Sequence, residues 1–310
     1  MTTENSNKLK WTIAVYFALS FYVLGASAMI HHFIYPTFDK VHEHISPFIE
    51  MFNNRVIFIL YIPLIILLLT SLSMFWFASK IFPKWTIATS VVLLSIATVT
   101  TLLVLNPILH SSSQAGFDIM QQNKLLSYST IFLITPLTLQ IILSFIMLNT
   151  FFKGVKAKWI FIALFALAFY TAGTDFVEKL LNYPSWLNVS ENEWSSFRQP
   201  VKSLSFVLVY LIPAFLQFLP LILMFWFRPV TIKKQTVLIY LGLYLLISVI
   251  TSTYFVPKLQ IPLDKAYSTT LIEQLIKMDF PLRFFPGLIT YFLATFMFLK
   301  VAQDKIQKAE

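Results

Sequence analysis

Apolar runs and polar stretches alternate along the whole chain. Eight runs are long and nearly free of charge: about 11–31, 57–78, 85–106, 130–152, 158–174, 204–227, 235–256 and 284–301. A run of roughly 18 or more such residues reads as a membrane-spanning helix. Backbone polar groups in lipid have no water to bond, so the runs must be helices. The fifth run is the shortest and ends at Asp175. Four polar connections lie on one side of the predicted membrane and run about 22 to 29 residues, long for structureless loops. They keep apolar residues at helical spacing. Phe38, Val41, Ile45, Phe48, Phe52 and Val56 form one such face; Trp194, Phe197, Val201 and Leu204 a second; Tyr267, Leu271, Leu275 and Met278 a third. Each predicts an amphipathic helix lying at the outer interface or capping the bundle.

The pattern repeats. Pro63, Pro136, Pro213 and Pro286 stand 73, 77 and 73 residues apart, and Trp11, Trp85 and Trp159 stand 74 and 74 apart. Met74-Phe75-Trp76-Phe77 returns as Met224-Phe225-Trp226-Phe227, and Tyr35-Pro36 as Tyr183-Pro184. A fixed period of this kind marks one unit, copied. The expected fold is an all-α membrane protein of eight transmembrane helices: two fused four-helix bundles made of four hairpin repeats. The expected units are 1–155 and 156–310. An even number of helices per unit makes the repeat parallel rather than inverted.

Composition agrees. Of 310 residues, 57% are hydrophobic and only 12% charged, against about 25% charged in soluble domains. Of the 23 Lys and Arg, 13 fall at the termini or in the turns 78–84, 153–158 and 228–235, beside only three acids, Glu4, Asp304 and Glu310. The positive-inside rule puts that side, with both termini, in the cytoplasm of a multi-pass cell-membrane protein. This bias accounts for the net charge of +9, so no nucleic-acid partner is expected. Lys8 and Lys10, an apolar run and Ala26-Ser27-Ala28 have the form of a cleaved signal peptide. However, Tyr22–Gly25 stands 11 residues before Pro36, and Tyr170–Gly173 stands 11 before Pro184. The later copy is internal, so the first helix is expected to be retained. The absence of cysteine excludes disulfides, thiolate catalysis and Cys-ligated metals.

Tyr35-Pro36-Thr37-Phe38, Phe48, Asn53-Asn54-Arg55 and Pro63 together resemble the first hairpin of the small four-helix membrane family called anthrone-oxygenase-like. Ile261-Pro262-Leu263 and Phe280-Pro281-Leu282-Arg283 are similar to its second hairpin, and Asn106-Pro107-Ile108 is a weaker match. The resemblance covers nearly the whole chain as two units in tandem. It implies, if the protein is an enzyme, oxygen insertion without metal or cofactor.

The candidate chemistry is sparse. All five histidines lie in the first half. His31 or His32, ending the first helix, could meet His110 beyond the third. His42 and His44 are two apart and point in different directions. A metal site at these histidines is one alternative and plain interfacial polar residues another; on the enzyme reading, His31, His32 or His110 acts as base and Arg283 holds a developing oxyanion, and no metal ligands are assigned. Asp175 and Glu178, three apart on one face beside Lys179, are intramembrane acids and so a default functional site. With Tyr35 and Tyr183 they are the candidate substrate-binding residues. Gln140, Gln217 and Asn149 are expected to join helices, and Gly25 and Gly173 to allow close packing. The expected partners are the lipid bilayer and a small apolar or lipid-like ligand near the outer face. A transporter or channel, and a non-catalytic scaffold subunit, are the alternatives.

Overall fold

A computed structural model describes residues 3–115, 119–199 and 203–307. Eight helices are long and apolar enough to cross a membrane: α1 Ser6–Lys40, α2 Ile45–Phe77, α3 Lys84–Ser111, α4 Ile119–Phe151, α5 Lys158–Asn188, α6 Leu204–Leu223, α7 Lys234–Lys265 and α8 Thr269–Gln307. No strand occurs among the described residues. The protein is therefore a polytopic membrane protein. Seven of the helices have 28 to 39 residues. At about 1.5 Å per residue they outrun a hydrocarbon core of about 30 Å. Turns of a few residues join α2 to α3 and α4 to α5, so the surplus length projects at the opposite end, called here the loop end.

Two sequence expectations change. The fifth helix does not stop at Asp175 but continues to Asn188, and the shortest helix is α6. Polar side chains do not end α5, because neighbouring helices supply their partners. The second amphipathic face also breaks up. Trp194 and Phe197 are buried on a short helix, Glu191–Phe197, but Leu204 opens α6 and is exposed. Val201 lies outside the described residues. The first face is divided too, since Phe38 ends α1, Val41 lies in the connection and Ile45 to Val56 belong to α2, although Phe38, Val41, Phe48, Phe52 and Val56 are all buried.

The centre of the molecule is the pair α1 and α5. In their most apolar windows 78% and 61% of residues are buried, against 17% and 11% in α6 and α7. The two helices cross at Gly25 and Gly173. A Cβ on Gly25 would lie 2.9 Å from the Tyr170 carbonyl carbon and closer still to its oxygen. One on Gly173 would lie 2.6 Å from the Ala26 nitrogen. Only glycine admits backbones this close, and without a hydrophobic drive between helices in lipid such contact is what holds them together.

Each half is also tied by a buried polar knot. In the first, Gln140 Nε2 donates to Tyr16 Oη at 2.6 Å, and Tyr16 Oη, Ser90 Oγ and Ser71 Oγ follow at 2.8 and 2.9 Å. One residue comes from each of α1 to α4. In the second, Thr171 Oγ1 donates to Gln217 Oε1 at 2.8 Å, and Gln217 Nε2 to Tyr240 Oη at 2.7 Å, joining α5, α6 and α7. Gln140 and Gln217 thus join helices as expected. Lys158 donates to Asn149 Oδ1 at 2.6 Å, closing the α4–α5 turn.

All eight helices carry a π turn in their loop-end half: Ile30–Ile34, Ile57–Tyr61, Thr101–Leu105, Thr130–Ile134, Glu178–Asn182, Val207–Leu211, Thr251–Gln260 and Phe280–Phe284. Proline explains them. In seven, the second residue after the turn is a proline: Pro36, Pro63, Pro107, Pro136, Pro184, Pro213 and Pro286. In α7 the stretch is double, with Pro257 inside and Pro262 second after it. A proline ring clashes with the carbonyl four residues back and brings no N–H to bond it. Widening the preceding turn relieves the clash. The residue before the proline donates five residues back instead, as Ile62 does to the Ile57 carbonyl and Tyr183 to that of Glu178.

Candidate functional site

Three of the carbonyls these prolines orphan take side-chain donors. Tyr22 Oη donates to Ile59 O at 2.9 Å, four residues before Pro63. Tyr170 Oη donates to Val209 O at 3.2 Å, four before Pro213. Arg55 Nη1 donates to Leu180 O at 2.6 Å, four before Pro184, and so crosses from the first half to the second.

The buried acidic and basic residues, Glu178, Lys179, Arg198, Asp279 and Arg283, concentrate at the loop end of the second half. Arg283 bonds Asp279 through Nε at 2.5 Å and Tyr183 Oη through Nη2 at 3.2 Å. Its guanidinium also lies 3.8 Å from the Phe255 ring centre. Tyr183 Oη accepts a second donor, Gln260 Nε2, at 3.2 Å. Arg198 pairs with Asp264, its Nε 3.0 Å away, and lies 4.4 Å from the Trp186 ring centre and 5.7 Å from that of Trp194. Planar guanidinium on indole is a favourable stack for a buried Arg. Glu178 Oε2 accepts from Asn182 at 2.8 Å. Asp175 takes three donors: Tyr210 at 3.0 Å, Tyr291 at 2.8 Å and Lys179 at 3.4 Å. Arg198, Tyr210, Gln260 and Asp264 were not singled out from the sequence, because their partners lie far along the chain; Asp279 was missed although its partner Arg283 is one turn away.

The candidate residues separate. His31 is buried on α1, with Nδ1 3.1 Å from Ser129 Oγ and Nε2 3.2 Å from Thr130 Oγ1. The expected meeting of His31 with His110 is replaced by this pair of hydroxyls from α4. His32 is exposed, its ring edge-on to His31 at 4.5 Å, and His110 is exposed on α3. Arg283 is committed to Asp279 and Tyr183 in the other half, so the imagined base and oxyanion holder have separate neighbours. Tyr35 is buried, its ring against Phe38 and Phe52, while its carbonyl accepts from Gln122. Asp175 and Glu178 do not act as one face: the first bonds to α6 and α8, the second within α5. Among the described residues no three His, Asp or Glu cluster as metal ligands do.

A concave site lies within the membrane-spanning region. A groove of about 360 Å³ opens between α1 and α2 on one side and α5 and α8 on the other. Phe58, Phe169, Phe176 and Phe292 line it with Ala18, Leu19, Ala172 and Leu288. Its polar groups are Tyr22, Tyr291 and Thr295, and Tyr291 carries its hydroxyl to Asp175. Phe58 and Phe292, more than two-thirds exposed, form its lips, so it opens sideways. A larger hollow of about 630 Å³ is walled by α4 residues alone, from Ile119 to Tyr128. With no opposing wall it cannot enclose a ligand.

No family model matches the chain, and searches of curated proteins and of solved structures gave no match.

Proposed function

We propose that this membrane protein holds a small apolar or lipid-like molecule in the groove between its two halves. The observation that carries the reading is the groove itself: aromatic and aliphatic walls, a lateral mouth, and a few convergent hydroxyls, the usual make-up of a small-molecule site. The halves are read as tandem four-helix units, 1–155 and 156–310. The π turns beginning at Ile30, Ile57, Thr101 and Thr130 return 148, 150, 150 and 150 residues later, which supports this. The resemblance to the anthrone-oxygenase-like family agrees with an apolar ligand. With His31 and Arg283 engaged by separate neighbours, binding is better supported than oxygenase chemistry at those residues. Native mass spectrometry of the detergent-purified protein tests the reading. A stoichiometric apolar adduct that Leu288→Trp abolishes by filling the groove is the expected result; an adduct-free spectrum after incubation with total membrane lipid overturns it.

Transport is the second reading. It is favoured by the polar residues running through the second half, from Thr171, Gln217 and Tyr240 to Asp175 and on to Arg283. Flux into proteoliposomes that Asp175→Asn abolishes would select it.

A further inference from the structure

The hydroxyls of the groove are each already spent as donors. Tyr22 gives its proton to Ile59 O at 2.9 Å, Tyr291 to Asp175 Oδ2 at 2.8 Å, and Thr295 to the Tyr291 carbonyl at 2.9 Å. A Tyr or Thr hydroxyl has one proton and two lone pairs. The rest of the lining is apolar side chain, and the helical N–H groups are committed to the backbone ladder. The groove therefore presents acceptors and no free donor. Tyr291 is the strongest of them, because donation to a carboxylate is a charge-assisted bond that polarises the phenol oxygen.

We propose that the groove selects amphiphiles bearing a hydrogen-bond donor, an alcohol or amine on an apolar body, over molecules of the same shape that can only accept. This rests on the groove reading above and adds the chemical class. A ketone or ether oxygen at Tyr291 would meet lone pair with lone pair. Accepting a bond there would require breaking Tyr291 from Asp175. An alcohol donates into the waiting lone pair and leaves the Asp175 bond intact. This is the asymmetry by which a site built for a hydroxyl rejects the analogue without one.

The experiment is equilibrium binding of radiolabelled 1-dodecanol to the full chain in nanodiscs. Unlabelled 1-dodecanol, dodecyl methyl ether and 2-dodecanone compete at equal membrane mole fraction. The alcohol is expected to compete about tenfold better than either acceptor. In Tyr291→Phe the advantage should shrink to about threefold or less while saturable binding persists, with folding checked by monodisperse elution. If that variant does not fold, Tyr22→Phe and Thr295→Val are read instead, and each should narrow the advantage. An ether or ketone that competes as well as the alcohol overturns the donor rule but leaves the groove reading standing. Full discrimination retained in every folded variant also overturns the rule. The absence of saturable, Leu288→Trp-sensitive binding by any of the three overturns the groove reading and this inference with it.

Discussion

Tyr22 supplies to Ile59 the hydrogen bond that Pro63 cannot. The phenol oxygen lies 2.9 Å from the carbonyl oxygen, and the proline four residues on brings no N–H. Tyr170 and Val209 repeat the relationship ahead of Pro213. A buried carbonyl left unpaired costs roughly 1–3 kcal/mol. Tyr22→Phe is therefore expected to destabilise the detergent-solubilised protein by about that much in thermal unfolding. Adding Pro63→Ala to Tyr22→Phe restores an N–H and should recover part of the loss. Strictly additive effects would show that the hydroxyl is not standing in for the missing amide.

Gly25 and Gly173 set the approach of α1 to α5. A methyl group at either meets backbone, which cannot swing aside as a side chain can. Gly25→Ala is expected to cost about 3 kcal/mol, the upper part of the overpacking range. At Gly242 on α7 an added methyl would have no neighbour within 4 Å. Gly242→Ala should be neutral or mildly stabilising through helix propensity. Equal melting temperatures for the two variants would remove the crossing from the account of stability.

Arg283 and Asp279 form a buried ion pair one turn apart on α8, with Tyr183 as a third member. Removing one partner strands the other charge. Asp279→Asn is expected to cost about 3–5 kcal/mol, and Asp279→Leu with Arg283→Met less than either single change. A double-mutant cycle in thermal unfolding measures this, and a coupling energy near zero would contradict the pairing.

Glu193 ties the two halves outside the membrane. Its Oε1 accepts the backbone N–H of His42 at 2.6 Å and of Glu43 at 3.1 Å. Burial pushes its pKa up, but these donors, with Ser190 and nearby His42, outweigh that and hold the carboxyl below the usual range. A lowered folded pKa means the tether contributes fully above the unfolded value of about 4.3. The contribution fades as pH falls through the lower folded value. Amide protection at His42 and Glu43, taken relative to the intrinsic exchange rate at each pH, should fall as pH drops through that acidic window in the wild type. Protection should be absent at every pH in Glu193→Ala, and Glu193→Gln should lack the acid step. A pH-independent wild type would refute the tether.

The missing cysteines make orientation directly testable. A membrane-impermeant maleimide is expected to label His44→Cys on intact cells and Lys156→Cys only after lysis, since Lys156 belongs to the basic side. The reverse pattern would invert the topology.

The number of helices, their alternation and the recurrence of prolines were legible in the chain. Hydrocarbon thickness and the need to pair every backbone group leave an apolar run of that length one structure. Gly25, Gly173, Gln140 and Gln217 were legible as packing and joining residues for the same reason. Local periodicity could not show where the helices end at the loop side. α5 runs on to Asn188 because Arg55, Tyr210 and Tyr291 from other helices satisfy its polar groups. Nor could the chain show that His31 turns to Ser129 and Thr130 rather than to His110, or that Arg283 works with Tyr183 a hundred residues away. The groove is likewise a product of four helices meeting. That Tyr22 gives its proton to Ile59 and Tyr291 to Asp175 depends on distances of a few ångströms between residues far apart in sequence, and those distances exist only once the helices have packed.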